Sequence, residues 1–337
     1  MSTDAMKRIP FGLRFNAWFE RYMFIVIPGA LTAGFWLADE LQPFIAWVPW
    51  LFAFITLVMG WGCSAGQIAK ELRRPLPMLL LFALAHIAAP LIAYAMGAAL
   101  FGAASPYVVG MVLFTVIPLG VSSAIWVGLS GGSTAWILAM IVIDSLLSPA
   151  VVPASVHLFF GADIHIDSAG MMLKLLAIIV IPTAAGVALY ELSRGRIKAA
   201  AAPVAAPVSK LCFTAVVMIN AAAIAPHVTA LRHDMAVVLP AVLALVAVCY
   251  LLGLLGSMLL RRRDPAAAAN LTYASGMRNI SLGMVIGLAY FGPLAAVPVV
   301  LAILIQQPMA TLNYWILRSV EARRLRGRSG NVPHWKA

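Results

Sequence analysis

Apolar residues in this chain come in long runs rather than in alternation. The runs are about 20 residues long, and short polar segments, most of them basic, separate them. A helix of that length crosses the roughly 30 Å hydrocarbon layer of a bilayer. We read ten spans: 22–38, 44–62, 77–100, 107–128, 134–158, 171–191, 210–230, 236–260, 266–291 and 293–317. The expected class is an all-α polytopic membrane protein. Residues 1–21 are basic and aromatic and read as an interfacial segment. Residues 318–337 read as a basic tail.

Composition agrees with the pattern. The chain is 63% hydrophobic and 10% charged, against about 25% charged in soluble domains. A net charge of +11 would suggest nucleic acid in a soluble protein. Here the basic residues lie between the apolar runs, so no nucleic-acid partner is expected. With the N-terminus inside, 20 of the 23 Lys and Arg fall in inside segments, Lys70, Arg74, Lys210 and Arg261 among them. By the positive-inside rule both termini are cytoplasmic and the chain sits in the bacterial inner (plasma) membrane. A cleaved leader is not expected. Cys63, Cys212 and Cys249 are isolated from one another in the sequence and read as packing residues. No nucleophile–base constellation and no metal-ligand spacing occurs, so neither an enzyme nor a metal or cofactor is expected.

Ten spans divide into two fives, residues 22–160 and 171–317, and an odd number per half inverts the second half relative to the first. Weak echoes follow in the same order in both. LRRPLPMLL precedes the third span and LRHDMAVVL the eighth. IPLGVSSAIWVG interrupts the fourth span, and ASGMRNISLGMVIG the ninth. SP at 148–149 falls in the fifth, QP at 307–308 in the tenth. The interruptions gather Pro118, Gly120, Ser122 and Ser123 in one half, and Ser275, Gly276, Arg278, Asn279, Ser281 and Gly283 in the other. Irregular backbone at membrane depth is tolerated where it is buried in protein or lines a cavity. Paired breaks in two halves point to a binding site.

GLSGGSTAWILAMIVIDSLLSPAVVP, LTYASGMRNISLG and LRRPLPMLLLFALAHIAAPLIAYAM resemble the bile acid:sodium symporter (BASS) family, from the second span to the tenth. The resemblance implies ten helices in a four-helix panel and a six-helix core, with broken fourth and ninth helices crossing near the midplane. It also implies departures. Sodium-coupled members carry L-T-x-E-x-G-x-Q-N in the ninth helix. Here LTYASGMRN puts Ala274 at the glutamate position and Arg278 at the glutamine position, and keeps Asn279. The family's Ser-Asn pair in the fourth helix is Ser123-Ala124. Hydroxyl positions in the fifth fall on Ile137 and Ile141. The glutamine of the third falls on Ala85, beside His86. A sodium requirement is therefore not carried over, and the coupling ion stays open between sodium and proton.

Asp144 and Arg278 read as the only charges deep within apolar runs. Asp144 shares a helical face with Ile137 and Ile141, the face the resemblance turns toward the sodium site. Lone charges there cost about 2.5–3.5 kcal/mol on insertion scales, so the two are expected to pair. In one reading Arg278 supplies the charge of the missing ion and holds an anionic substrate, with Asp144 as counter-ion and able to carry a proton. In the other the pair only locks two helices together. Ser122, Ser123, Ser275, Asn279 and Ser281 are the candidate hydrogen-bonding residues. His86 reads as a proton relay or a packed histidine. Gln306 and Gln307 read as partners of backbone freed by Pro308, with a substrate-facing role for one of them open. Trp47, Trp50, Trp61 and Trp126 suit interfacial belts.

The expected function is a secondary active transporter of a small organic anion by alternating access. Alternatives are an uncoupled facilitator or channel and a membrane sensor that has lost transport. Substrate identity, direction and oligomeric state are left open.

Overall fold

The computed structural model describes residues 11–73, 75–161, 167–227, 234–260 and 264–329. The sequence-predicted inside positions Lys7, Arg8, Arg74, Arg261, Arg262 and Arg263, the outside Arg232, and residues 330–337 of the tail lie outside them. The described residues form helices and no strand. In chain order these are α1 (Phe11–Trp36), α2 (Ala38–Gly60, with a 3₁₀ stretch over Gln42–Trp47), α3 (Ala65–Leu72) and α4 (Pro75–Phe101). Next come α5 (Pro106–Val116), α6 (Ser123–Leu129), α7 (Thr134–Phe160), α8 (Ser168–Leu192) and α9 (Arg196–Ile224). The last are α10 (Met235–Leu259), α11 (Pro265–Gly276), α12 (Ile280–Phe291) and α13 (Pro293–Ser329).

Local chemistry sets many of the ends. Ser64 and Gln67 form a reciprocal capping box at the start of α3, which satisfies two orphan N–H groups of the first turn. Ser105, Ser133 and Asp264 cap α5, α7 and α11. Proline stands at the first helical position of α5 and α11, where its missing N–H costs nothing.

Seven of these helices are long and apolar enough to cross a bilayer: α2, α4, α7, α8, α9, α10 and α13, the last over Pro293–Ser319. Shorter apolar helices are Ile25–Trp36 within α1, α5 and α12. Large apolar side chains such as Leu79, Leu91, Leu173 and Leu251 are exposed on the outside of the bundle, as in a protein whose solvent is lipid.

Three helices run further than the hydropathy pattern indicates, and one of them is α13, which continues to Ser329 through the first part of the expected tail. The first span, expected at 22–38, belongs to a helix that begins at Phe11. The seventh, expected at 210–230, belongs to a helix over Arg196–Ile224 that carries Pro203 and Pro207 inside it. The alanines flanking those prolines lower the mean hydropathy without weakening the helix, since Ala has the best helix propensity. Lys210 therefore sits in the middle of α9 and Glu20 within α1.

α1 and α9 lie alongside each other in the same direction. Gly12 abuts the Pro203 carbonyl and Gly34 the Met218 carbonyl, so neither position has room for a side chain. α2 packs on α8 through Gly60 and Gly186, and also on α9. α4, α5, α7, α10, α11 and α13 pack with one another around the breaks between α5 and α6 and between α11 and α12.

Candidate functional site at the helix crossing

Where α5 stops at Val116 and α11 at Gly276, the two extended segments meet as an antiparallel pair, Leu119 opposite Arg278. The Gly120 N–H donates to the Met277 carbonyl at 2.9 Å, and the Asn279 N–H to the Pro118 carbonyl at 2.8 Å. Gly120 is required for this approach. A Cβ there would stand 2.7 Å from the Arg278 carbonyl oxygen.

In this geometry Leu119 and Arg278 form a non-hydrogen-bonded pair, so their own N–H groups point outward and need other acceptors. A side chain answers each. Asp144 Oδ2 on α7 accepts from the Leu119 N–H at 2.8 Å, and Gln306 Oε1 on α13 accepts from the Arg278 N–H at 2.8 Å. Each break is capped by a residue that follows it in the chain, 25 and 28 residues on. Gln306 thus serves the break in the other helix rather than backbone freed by Pro308, which corrects the sequence expectation.

Direct pairing of Asp144 with Arg278 does not form. Among the described residues the ion pairs within 4.0 Å are His86–Asp144 and Lys210–Glu20. Asp144 Oδ1 lies 2.8 Å from His86 Nε2. The Arg278 guanidinium donates to the Ala85 carbonyl at 2.9 Å and the Ile117 carbonyl at 3.4 Å. Both charged residues are buried, each 1% exposed. The physical reason is the broken backbone. A break leaves both N–H and C=O groups without helical partners, and a carboxylate suits the first and a guanidinium the second. Asp144 and Arg278 therefore grip neighbouring groups of the same two segments, Ala85–His86 and Ile117–Leu119. The Ala85 carbonyl sits in a π-helical turn over Leu84–Ala88, where the regular hydrogen-bond ladder of α4 is displaced.

The other predicted residues divide. A cavity of about 290 Å³ is lined by the crossing backbone at Gly120, Arg278 and Asn279, and by Ser122, Gln306 and Gln307. Gln307 Oε1 accepts from the Trp126 indole N–H at 3.0 Å, and its Nε2 donates to Ser122 Oγ at 3.4 Å. Asn279 also caps α12 through the Leu282 N–H. Ser123 does not line the cavity and donates to the Gly120 carbonyl. Ser275 and Ser281 are buried, do not line it, and have no hydrogen-bond partner. His86 and Asp144 lie off the cavity, and His86 Nδ1 is buried without a partner.

Two of the predicted interfacial tryptophans are elsewhere. Trp61 is buried, and Trp126 belongs to this site, while Trp47 and Trp50 are exposed. Trp126 carries no sequence signal separating it from the other two. Sequence reasoning counted Lys210 among the inside basic residues at the start of the span 210–230, and the structure puts it on the cavity lining, paired with Glu20. The alanine-rich composition of 196–210, Ala being the best helix former, was the signal that could have found it in spite of Pro203 and Pro207.

Cys63, between α2 and α3, is buried, which pushes its thiol up to about 11 and keeps it protonated. Among the described residues no group of three His, Cys, Asp or Glu is placed to hold a metal ion.

Comparison with known proteins adds the lineage of this arrangement. The sequence pattern described as the sodium bile acid symporter family matches residues 49–231. Uncharacterized protein YbaS of Bacillus subtilis (strain 168) is 34% identical over 300 residues, covering 89% of this chain and 97% of that protein. An uncharacterized sodium-dependent transporter of the same organism, YocS, is 26% identical over 260 residues, covering 74% of this chain and 78% of its own length. On these matches the chain belongs to the sodium bile acid symporter family, whose members are membrane transporters.

Proposed function

We propose that this protein is a secondary active transporter that carries a small organic anion by alternating access, and that the Arg278 guanidinium does the work of a coupling sodium ion. The observation that carries the reading is the crossing. Two interrupted helices meet at Leu119 and Arg278, and a tethered cation binds the backbone carbonyls of Ala85 and Ile117 beside them. Backbone carbonyls at a helix break are the groups with which transporters of this construction hold a cation. Ala274, Ile137, Ile141 and Ala85 offer no side-chain oxygen at the positions where sodium-coupled members have one. The relative YocS is called sodium-dependent, and on this reading the present chain differs from it in coupling.

Ten spans in two inverted halves fit the same observations. The fourth span is α5 with α6, and the ninth is α11 with α12. Each break has its outward N–H capped by a residue from the last helix of one half, Asp144 or Gln306. The panel is α1, α2, α8 and α9, with the termini cytoplasmic and the protein in the bacterial plasma membrane. A cavity of about 290 Å³ lies at the lower end of the roughly 300–1,000 Å³ typical of ligand pockets, which favours a small solute. With the cation's place taken by Arg278, the titratable pair at the crossing is His86–Asp144, and a proton is the coupling ion that suits it.

The test is uptake of short carboxylates into proteoliposomes, with a sodium gradient, with a proton gradient and with neither. Uptake indifferent to sodium and driven by the proton gradient is expected. Sodium-driven uptake overturns the role given to Arg278. Uptake that merely equilibrates in all three conditions makes the protein a facilitator.

A further inference from the structure

We propose that Lys210 is the residue that receives the substrate's anionic group, and that Glu20 is the partner it releases to do so. The inference rests on the organic-anion reading above and names the group that reading leaves unassigned.

The sequence had given anion binding to Arg278. That guanidinium is 1% exposed and committed to two backbone carbonyls, so seating a substrate there would strip those carbonyls of their donor. The other cation among the described cavity-lining residues is Lys210. Its Nζ lies 3.3 Å from Glu20 Oε1, and the two side chains are 23% and 30% exposed. A partly exposed ion pair adds little to stability, so an incoming anion exchanges with Glu20 at small cost.

Both residues stand on helices, Glu20 on α1 ahead of its apolar part Ile25–Trp36 and Lys210 in the middle of α9. Glu20 also has a second partner, since Asn16 Nδ2 donates to Glu20 Oε1 at 3.0 Å. That bond holds Glu20 on the wall after Lys210 has turned to the ligand. Met23, Phe52, Ile55 and Phe213 supply apolar lining near the pair. Polar groups at Ser122, Asn279 and Gln307 stand on the crossing side. One ammonium, one nearby carboxylate and an apolar wall describe a site for a small monoanion with a hydrocarbon body. Glu20 acts as the repulsive element against a second negative charge, since like charges brought together in a site cost affinity for the wrong ligand.

The full-length protein, reconstituted in liposomes, tests this with linear monocarboxylates from propionate to octanoate and with succinate as dianion. Lys210→Gln is expected to raise KM for monocarboxylates about tenfold or more with little change in kcat, the pattern of lost binding. Lys210→Arg should restore part of it. Glu20→Gln is expected to lower KM for monocarboxylates and to admit succinate. Unchanged KM in Lys210→Gln, with the wild type transporting normally, overturns the assignment and leaves the transporter reading standing. Failure of the wild type to take up any of these anions overturns both. If Lys210→Gln does not fold by thermal unfolding in detergent, Glu20→Gln decides alone, and continued exclusion of succinate counts against the proposal.

Discussion

The buried charges at the crossing and the charged pair on the cavity lining are built on opposite principles. At the crossing, Asp144 and Arg278 are fully buried, and their hydrogen bonds run chiefly to backbone: Leu119 N–H for one, the Ala85 and Ile117 carbonyls for the other. On the cavity lining, Glu20 and Lys210 are partly exposed and hold each other at 3.3 Å. The first cluster completes the backbone of broken helices and cannot let go without leaving polar groups bare. The second can exchange partners. Burial, more than charge, separates a residue that maintains the crossing from one that is free to meet a ligand.

Three substitutions break or sharpen that contrast. Asp144→Leu should have the largest effect. It strips the Leu119 N–H and His86 of their partner and leaves Arg278 without its nearby opposite charge, and losing one side of a buried charged network costs about 3–5 kcal/mol. Denaturant or thermal unfolding in detergent measures it, and a loss below about 1 kcal/mol would mean the crossing does not depend on Asp144. Gln306→Leu comes next. It removes a neutral cap from the Arg278 N–H, at about 1–3 kcal/mol for a buried donor left unpaired. A cost equal to that of Asp144→Leu would show that the two halves of the crossing are energetically alike, despite one being capped by a carboxylate and the other by an amide. Lys210→Met should be the mildest, within about 1 kcal/mol of wild type, although transport changes strongly. A large destabilisation there would move Lys210 into the structural class.

Much of the architecture is legible in the chain. LTYASGMRNISLG and IPLGVSSAIWVG are too polar and too rich in Gly for lipid-facing helix, and both mark the segments that cross. Asp144 and Arg278 stand out because a charge in a long apolar run is costly. Their partners are not legible. Opposite charges read from sequence suggest an ion pair, but the pattern contains no account of which backbone groups a break frees. The SP and QP echo aligned Pro149 with Pro308, whereas the corresponding caps are Asp144 and Gln306. The breaks themselves, and not the prolines, decide which side chains correspond.

Lys210 shows the same limit from the other side. An alanine-rich stretch with two prolines reads as a connection by hydropathy, yet it is helix from Arg196 onward because Gly12 and Gly34 let α1 lie against it. Trp126 likewise looks like any membrane tryptophan until Gln307 is brought to its indole N–H.

By itself the sequence determined the membrane class, the helical content and the two places where helices fail, because transfer to lipid and backbone hydrogen bonding act on each segment separately. Only the tertiary structure decided which charged groups meet and which of them line the cavity. Those outcomes depend on partners distant in the sequence and brought close by packing: Asp144 to His86, Arg278 to Ala85, and Lys210 to Glu20.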